Sequence, residues 1–308
     1  MMHDVVIIGT GPAGLTAAIY AARANLSPVI YAGTMHGGQL TTTTEVENFP
    51  GFEHGIMGPK LMSEMTAQAE RFGTKIIYEM INKVDFSKRP FTLWSDSQEI
   101  KAKTVIIATG ATAKTLGLPN EAELMGRGLS TCATCDGFFY RNKVVAVSGG
   151  GDSAMEEANY LSKLCSQVYL IHRRGEFRAS KIMVDRVMAN PKIKVLTPWT
   201  VERPLFDHTG VTGIEIKNVQ SGVSEQLKVD GLFMAIGHKP NSDLFKQWVD
   251  VDDHGYIKTV KATATKTPGL FAAGDIADPT FKQAITAAGM GCQAAMQAQR
   301  FLEEHEEK

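Results

Sequence analysis

No apolar run in this sequence approaches the ~18 residues that a membrane-crossing helix needs. The amino terminus, Met1-Met2-His3-Asp4, leads into a short apolar stretch without a basic lead or a cleavage-type segment. The expected location is therefore the cytoplasm, with no membrane partner. Net charge is almost absent: 32 Lys and Arg stand against 33 Asp and Glu, for -1 overall, so nothing marks a nucleic-acid-binding face. Cysteine is scarce, with four in 308 residues, which excludes a disulfide-stapled scaffold and fits a reducing compartment. Cys165 and Cys292 stand alone in apolar surroundings and are expected to be buried packing residues.

What is present is ordinary globular composition, 44% hydrophobic and 21% charged, in a chain long enough for two cores. The other two cysteines form Cys132-Ala133-Thr134-Cys135, followed at once by Asp136. Neighbouring thiols can close a small ring, and one of them can be held as thiolate, which suits reversible dithiol/disulfide chemistry. Half of a zinc site or two unrelated thiols are the other readings. Zinc, however, requires a second Cys or His pair at ligand spacing, and the sequence offers none, so no metal is expected.

Val5-Val6-Ile7-Ile8 runs into Gly9-Thr10-Gly11-Pro12-Ala13-Gly14, after which Leu15 to Ala24 is helix-compatible. Strand, G-x-G-x-x-G loop and helix in this order form a dinucleotide-binding pattern, with the pyrophosphate at the helix amino terminus. The carboxylate expected for the adenosine ribose is missing after the second strand, where Val29-Ile30-Tyr31-Ala32-Gly33 stands. His36 to Thr44 reads as a long polar loop able to meet the edge of a polar ring, or equally an exposed loop. Pro59 to Phe72 reads as an amphipathic helix, and Lys75–Tyr78 and Phe91–Trp94 as strands, with Val84 between them. The run 103–107, ending in Ala108-Thr109-Gly110, is another buried strand. Thr267 to Ile276 is expected as a buried strand closing on Gly274-Asp275, and Gln283 to Gln299 as a helix of small residues. Asp275 can accept hydrogen bonds from ribityl hydroxyls or simply cap a turn.

The plan occurs twice. Val144 to Val147 precedes Gly149-Gly150-Gly151-Asp152-Ser153-Ala154, a G-x-G-x-x-A loop, and Gly231 to Gly237 echoes 103–110. Here the second strand, Gln167 to Ile171, ends in His172-Arg173-Arg174, with Arg178 beyond. Guanidinium groups where an NAD site carries a carboxylate suit a 2′-phosphate, so NADPH is favoured over NADH. The fold class is α/β: two Rossmann-like dinucleotide-binding domains of the FAD/NAD(P)-binding type, the second inserted in the first. The outer domain is expected over 1–112 and 242–308, the inserted one over 113–241.

With these elements in order, from the first glycine loop through the Gly38–Thr44 loop, the dithiol with Asp136, the second loop with its basic turn and Gly274-Asp275, the sequence resembles the low-molecular-weight thioredoxin reductases over nearly its whole length. A dithiol just upstream of the glycine loop of the inserted domain is the specific part. The resemblance implies FAD in the domain formed by both chain ends, NADPH in the inserted domain, a homodimer, and oxidised thioredoxin as protein substrate. Carried over by position, Gly9, Gly11, Pro12, Ala13, Gly14, Gly38, Gln39, Leu40, Asn48, Val84, Gly274, Asp275, Lys282, Gln283 and Ala284 look like FAD contacts. Gly151, Asp152, Ser153, Glu156, His172, Arg173, Arg174 and Arg178 look like NADPH contacts. Lys282 departs from the Arg common in the family beside the Gln-Ala pair, keeping the charge without a bidentate grip.

By the same resemblance Cys135 meets the flavin, Cys132 attacks thioredoxin, and Asp136 is the acid/base. Because dithiol and NADPH loop share one inserted domain yet must both reach the same flavin, that domain is expected to rotate between half-reactions. The nearest other readings are the reductase of an alkyl hydroperoxide system, which carries an extra amino-terminal region, a glutathione-reductase-type enzyme, whose cysteines lie near the first loop, a ferredoxin-linked flavoprotein, which lacks the dithiol, and an NADPH-sensing protein with a structural disulfide.

Overall fold

The computed structural model describes residues 2–43 and 45–306, and the chain in it divides into two compact units, Met1–Thr112 with Lys239–Lys308, and Ala113–His238. The second crossing thus falls slightly before the Asn241 boundary expected from sequence. The crossings themselves, Ala111–Ala113 and His238–Pro240, pair as a two-stranded ribbon.

In the first unit the apolar run becomes the strand Met2–Ile8, whose Val5, Val6 and Ile7 are fully buried. A central parallel strand is covered on both faces, which is why it reads as continuous hydrophobicity rather than alternation. It pairs in parallel with Val29–Tyr31 on one side and Glu99–Ile107 on the other. Glu99–Ile107 is shared by two arms. Its first half pairs antiparallel with Phe91–Ser95, which continues to Ile81–Asp85, and its last residues pair in parallel with Leu270–Ala272. Val84 therefore lies inside the edge strand Ile81–Asp85, not between strands as expected, and its side chain belongs to the core.

The helix starts at Pro12, the position where a missing N–H costs nothing, and runs to Arg23. Against it lies the carboxyl-terminal helix Ala284–Glu306, longer than the expected span to Gln299. The two approach so closely that a Cβ on Gly291 would overlap the carbonyl oxygen of Ala13; the alanines around this crossing are core residues. Cys292, on the same helix, is partly exposed rather than buried: it lies at the margin of that crossing, between Met296, whose sulfur is 3.9 Å from its own, and Tyr20 of the first helix. Two further expectations shift. The run 267–276 is a strand only over Leu270–Ala272, since Gly274 at φ +81° turns the chain. The polar loop contains the 3-10 turn Gly38–Thr42, while Thr44 lies outside the described residues.

The second unit repeats the design. Its parallel sheet runs Leu129–Ser130, Gly231–Met234, Val144–Ser148, Gln167–Ile171, Ile193–Leu196, and a three-stranded antiparallel sheet over Trp199–Asp207, Gly210–Asn218 and Ser224–Leu227 completes the unit. The duplication extends to single hydrogen bonds. Gly9 N donates to Tyr31 O at 2.9 Å and Gly149 N to Ile171 O at 3.0 Å; Ala108 N donates to Ile8 O and Ala235 N to Ser148 O, both at 2.9 Å. Among the described residues no helix is long and apolar enough to cross a membrane.

Candidate functional site

The dithiol belongs to the second unit. The short strand Leu129–Ser130 delivers the chain to Cys132, and the single helical turn Ala133–Asp136 then brings residue 135 back beside residue 132. Their Cα atoms are 5.3 Å apart and the sulfurs are joined at 2.03 Å. Ala133 anchors the turn in the core, whereas Cys135 is exposed and Cys132 partly so. Asp136 closes the same turn and is partly buried. Burial pushes its carboxyl above the ordinary range, opposed by a 2.6 Å hydrogen bond donated by Ser130 Oγ. Ser130 Oγ also accepts the Cys132 N–H at 3.0 Å. Tyr140, at the end of the next turn, is driven to about 12 by burial and then by Asp136. Among the described residues no three His, Cys, Asp or Glu side chains gather to hold a metal.

In the nucleotide loop of this unit, Gly151 faces open space and the helix Asp152–Leu164 begins there without a side-chain cap. Backbone N–H groups at such an end are donors for an anion. Arg178 N donates to Gly150 O at 2.8 Å, laying the basic segment on the loop. Arg174 and Arg178 line one cavity of about 350 Å³ with Gly175, Glu176 and Phe177. Arg173, Arg174 and Arg178 are exposed, and none is ion-paired with a described carboxylate. Ser153 and Glu156 are exposed on the same helix. His172 faces inward: its ring is packed against Gly150, stacked on Phe177 at 5.2 Å, and its Nε2 is 3.1 Å from Glu176 O. Burial lowers its pKa. Asp152 is also engaged, accepting the backbone N–H and hydroxyl of Ser180 at 2.9 and 2.8 Å. Both residues shape the segment that carries the arginines.

In the first unit, Gly11 likewise faces open space at an uncapped helix start at Pro12, and Gly38 approaches it, a Cβ there meeting Gly11 Cα at 3.4 Å. Gly274 packs on Ala13, so Gly9, Gly11, Ala13, Gly14, Gly38 and Gly274 converge on one cleft wall. Asp275, just beyond, accepts no hydrogen bond from a described residue, and burial, followed by repulsion from Asp278, raises its carboxyl to about 6. Lys282 works against that rise, although its Nζ donates to Pro279 O at 2.6 Å. Asn48 Nδ2 donates to Gln283 Oε1 at 3.3 Å, and Gln39 Nε2 to Ala111 O. Ala284 opens the last helix and Leu40 packs on the core. Val84 offers only its main chain, on the sheet edge.

Sequence reading missed four residues. Thr10 Oγ1 accepts the Gly37 N–H at 3.0 Å and ties the polar loop to the glycine loop. At the end of the second strand, where the carboxylate is missing, His36 and Tyr78 meet edge to face at 4.7 Å. Ser130 bridges Cys132 and Asp136. Only the tyrosine after a parallel strand carried any local signal.

A family model described as pyridine nucleotide-disulphide oxidoreductase matches residues 3–291. The chain is 53% identical to a thioredoxin reductase of Vibrio cholerae, covering 97% of this chain and 96% of that one. It is 52% identical to a protein of Pseudomonas fluorescens named glucosaminate ammonia-lyase, covering 97% and 95%. The solved thioredoxin reductase of Giardia duodenalis superposes with a TM-score of 0.94 at 41% identity, over 98% of this chain and 99% of that one.

The unliganded Asp275 carboxyl should titrate near 6, and Asp278→Asn, which removes the charge and keeps one of the two oxygens that accept the turn's N–H groups, should lower that value. A carboxyl whose folded pKa is raised binds extra protons in the native state, so its contribution favours the fold at low pH and is lost as pH rises through about 6. Infrared titration of the carboxyl band in both proteins reads the shift.

Proposed function

The chain belongs to the pyridine nucleotide-disulphide oxidoreductase family, among the low-molecular-weight thioredoxin reductases, and we propose that it carries electrons from NADPH through FAD and the Cys132–Cys135 disulfide to oxidised thioredoxin. It is an oxidoreductase using a flavin and a nicotinamide nucleotide. The observation that carries the finer reading is the disulfide, set on an exposed turn that closes on a partly buried carboxyl in the unit that holds the basic nucleotide loop.

The residues fit both nucleotides. Gly11 and the uncapped start at Pro12 leave room and donors for the FAD pyrophosphate, and Asp275 has unused acceptor capacity for ribityl hydroxyls. Gly151 and the helix start at Asp152 serve the NADPH pyrophosphate, with Arg173, Arg174 and Arg178 at the 2′-phosphate. FAD, when bound, takes the hydride of NADPH and supplies two electrons to the disulfide. Asp136, kept protonated further up the pH scale by burial, protonates one of the two sulfurs released. The Cys132 thiolate then attacks thioredoxin's disulfide to form a mixed disulfide, and Cys135 attacks Cys132, restoring the original bond and releasing reduced thioredoxin. The unit Ala113–His238 turns on its two crossings between these half-reactions, and the protein works as a cytoplasmic homodimer.

In Cys135→Ser, NADPH should still bleach the flavin anaerobically while electron delivery to thioredoxin falls to background and thioredoxin accumulates as a mixed disulfide on Cys132. Release of ammonia from glucosaminate that survives this substitution would instead support the activity named for the Pseudomonas fluorescens relative. Arg174→Ala and Arg178→Ala should each raise KM for NADPH roughly ten- to hundredfold, the worth of a charge-assisted hydrogen bond, and leave KM for NADH unchanged. Equal effects on both nucleotides would remove the 2′-phosphate assignment. A cross-link fixing the two units should stop repeated turnover and spare one half-reaction; undiminished turnover would discard the rotation.

A further inference from the structure

Asp136 must gain and lose a proton in every cycle while buried, and a buried carboxyl is satisfied by different partners in its two states: charged, it only accepts hydrogen bonds; protonated, it must also donate one. An environment built for one state penalises the other by leaving a group unpaired. We propose that Ser130 is the positioning residue for this acid, a hydroxyl that stays hydrogen-bonded to Asp136 in both protonation states without any heavy atom moving. This rests on the reading of Asp136 as the acid of disulfide reduction.

Ser130 ends the strand Leu129–Ser130 and is 3% exposed, so water does not compete for its hydroxyl. Three polar atoms surround its Oγ: Asp136 Oδ2 at 2.6 Å, Cys132 N at 3.0 Å and Cys132 O at 3.3 Å. The Cys132 N–H can only donate, which occupies one lone pair permanently. When Asp136 is charged, the single hydroxyl hydrogen points to Oδ2. When Asp136 is protonated, the direction reverses: the carboxyl O–H donates into the second lone pair, and the hydroxyl hydrogen turns to Cys132 O. One donor and two acceptor positions are what a serine possesses, and the protonated state uses all three.

The proton count follows the chemistry. Two electrons break the Cys132–Cys135 S–S bond and leave two negative sulfurs; one proton from Asp136 converts one of them to a thiol, leaving one thiolate and a charged Asp136. That thiolate bonds to one sulfur of thioredoxin as thioredoxin's S–S bond breaks, and the other thioredoxin sulfur departs as a thiolate; the remaining cysteine thiol then returns its proton to Asp136 and attacks the mixed disulfide, re-forming the Cys132–Cys135 bond and expelling thioredoxin's first sulfur, and both thioredoxin sulfurs take up protons from water. At each change Ser130 rotates about its Cβ–Oγ bond. Because Ser130 anchors the backbone of Cys132 with the same oxygen, the acid and the attacking cysteine keep one spacing throughout.

The titratable groups around Asp136 are few. The cysteines are joined in the oxidised protein and do not titrate. Tyr140, with Asp230 and Cys165 behind it, is pushed to about 12 and stays neutral in the working range. From the helix Asp152–Leu164, Tyr160 and Leu161 close over Gly137 beside the turn. Burial raises the Asp136 carboxyl and the Ser130 hydrogen bond lowers it, so removal of the hydroxyl leaves burial unopposed.

The test is an infrared titration of the Asp136 carboxyl, assigned with Asp136→Asn, in the flavin-loaded wild type, Ser130→Ala, Ser130→Thr and Ser130→Cys, together with the pH profile of thioredoxin reduction. Melting temperature and flavin content check folding. In Ser130→Ala the carboxyl should titrate higher than in the wild type, with the alkaline limb of the profile moving up alongside it. Ser130→Thr should restore both, and Ser130→Cys, a weak donor, should fall between; this last variant carries the test if the alanine variant does not fold. Carboxyl and profile unchanged in folded Ser130→Ala or Ser130→Cys would overturn the proposal. Wild-type thioredoxin reduction by Asp136→Asn would instead overturn the acid role, and the Ser130-dependent carboxyl shift would then appear without a shift in the profile.

Discussion

A glycine pressed against the carbonyl of a neighbouring parallel strand is the constraint on which both halves of this protein depend. In the first unit Gly9 faces the Ala108 carbonyl, and in the second Gly149 faces that of Ala235. Neither position has space for a side chain, and the closeness fixes where the next turn, the open second glycine and the helix start must lie. From the helix start follow the unpaired N–H groups, and from those the anion site. The Gly291 approach to Ala13 continues the same logic, drawing the last helix onto the first so that Gly274 and Asp275 stand beside the loop. Two chain ends nearly the whole sequence apart thereby furnish one cleft.

The two units use this scaffold for different electrostatics. In the first, a largely buried carboxyl waits unpartnered near an acidic neighbour, an arrangement disfavouring charge until hydroxyl donors arrive. In the second, exposed Arg174 and Arg178 line a shallow cavity that Glu176 also borders, and exposed Arg173 stands next to them in the chain. The dithiol adds a third environment, where burial raises the carboxyl that follows the Cys-x-x-Cys turn while a serine hydroxyl holds it down.

Much of the candidate site could be read in one dimension because its parts are local. A glycine loop, the strand before it and the helix after it occupy some twenty consecutive residues, and a Cys-x-x-Cys pair needs only one helical turn to close. Glu99–Ile107 was legible as a strand because burial on both faces makes its end continuously apolar. Val84 was misplaced because the strand Ile81–Asp85 breaks alternation, with exposed Asn82 and Lys83 side by side at a register shift, and reads as a connection. Cys292 was misjudged because a helix of small residues disguises which face it turns to the core.

Other roles were decided only by contacts between distant segments. That His172 faces inward, that Asp152 holds Ser180, that Ser130 joins Cys132 to Asp136, and that His36 meets Tyr78 where a carboxylate is missing all depend on how separate strands end beside one another. The sequence by itself determined the chemistry available: a dithiol, two phosphate-binding loops, a cluster of arginines and an acid. Tertiary structure alone decided which of those groups are free for ligands and which are consumed in holding the others. A side chain's partners depend on its neighbours in space, and no local pattern records those neighbours.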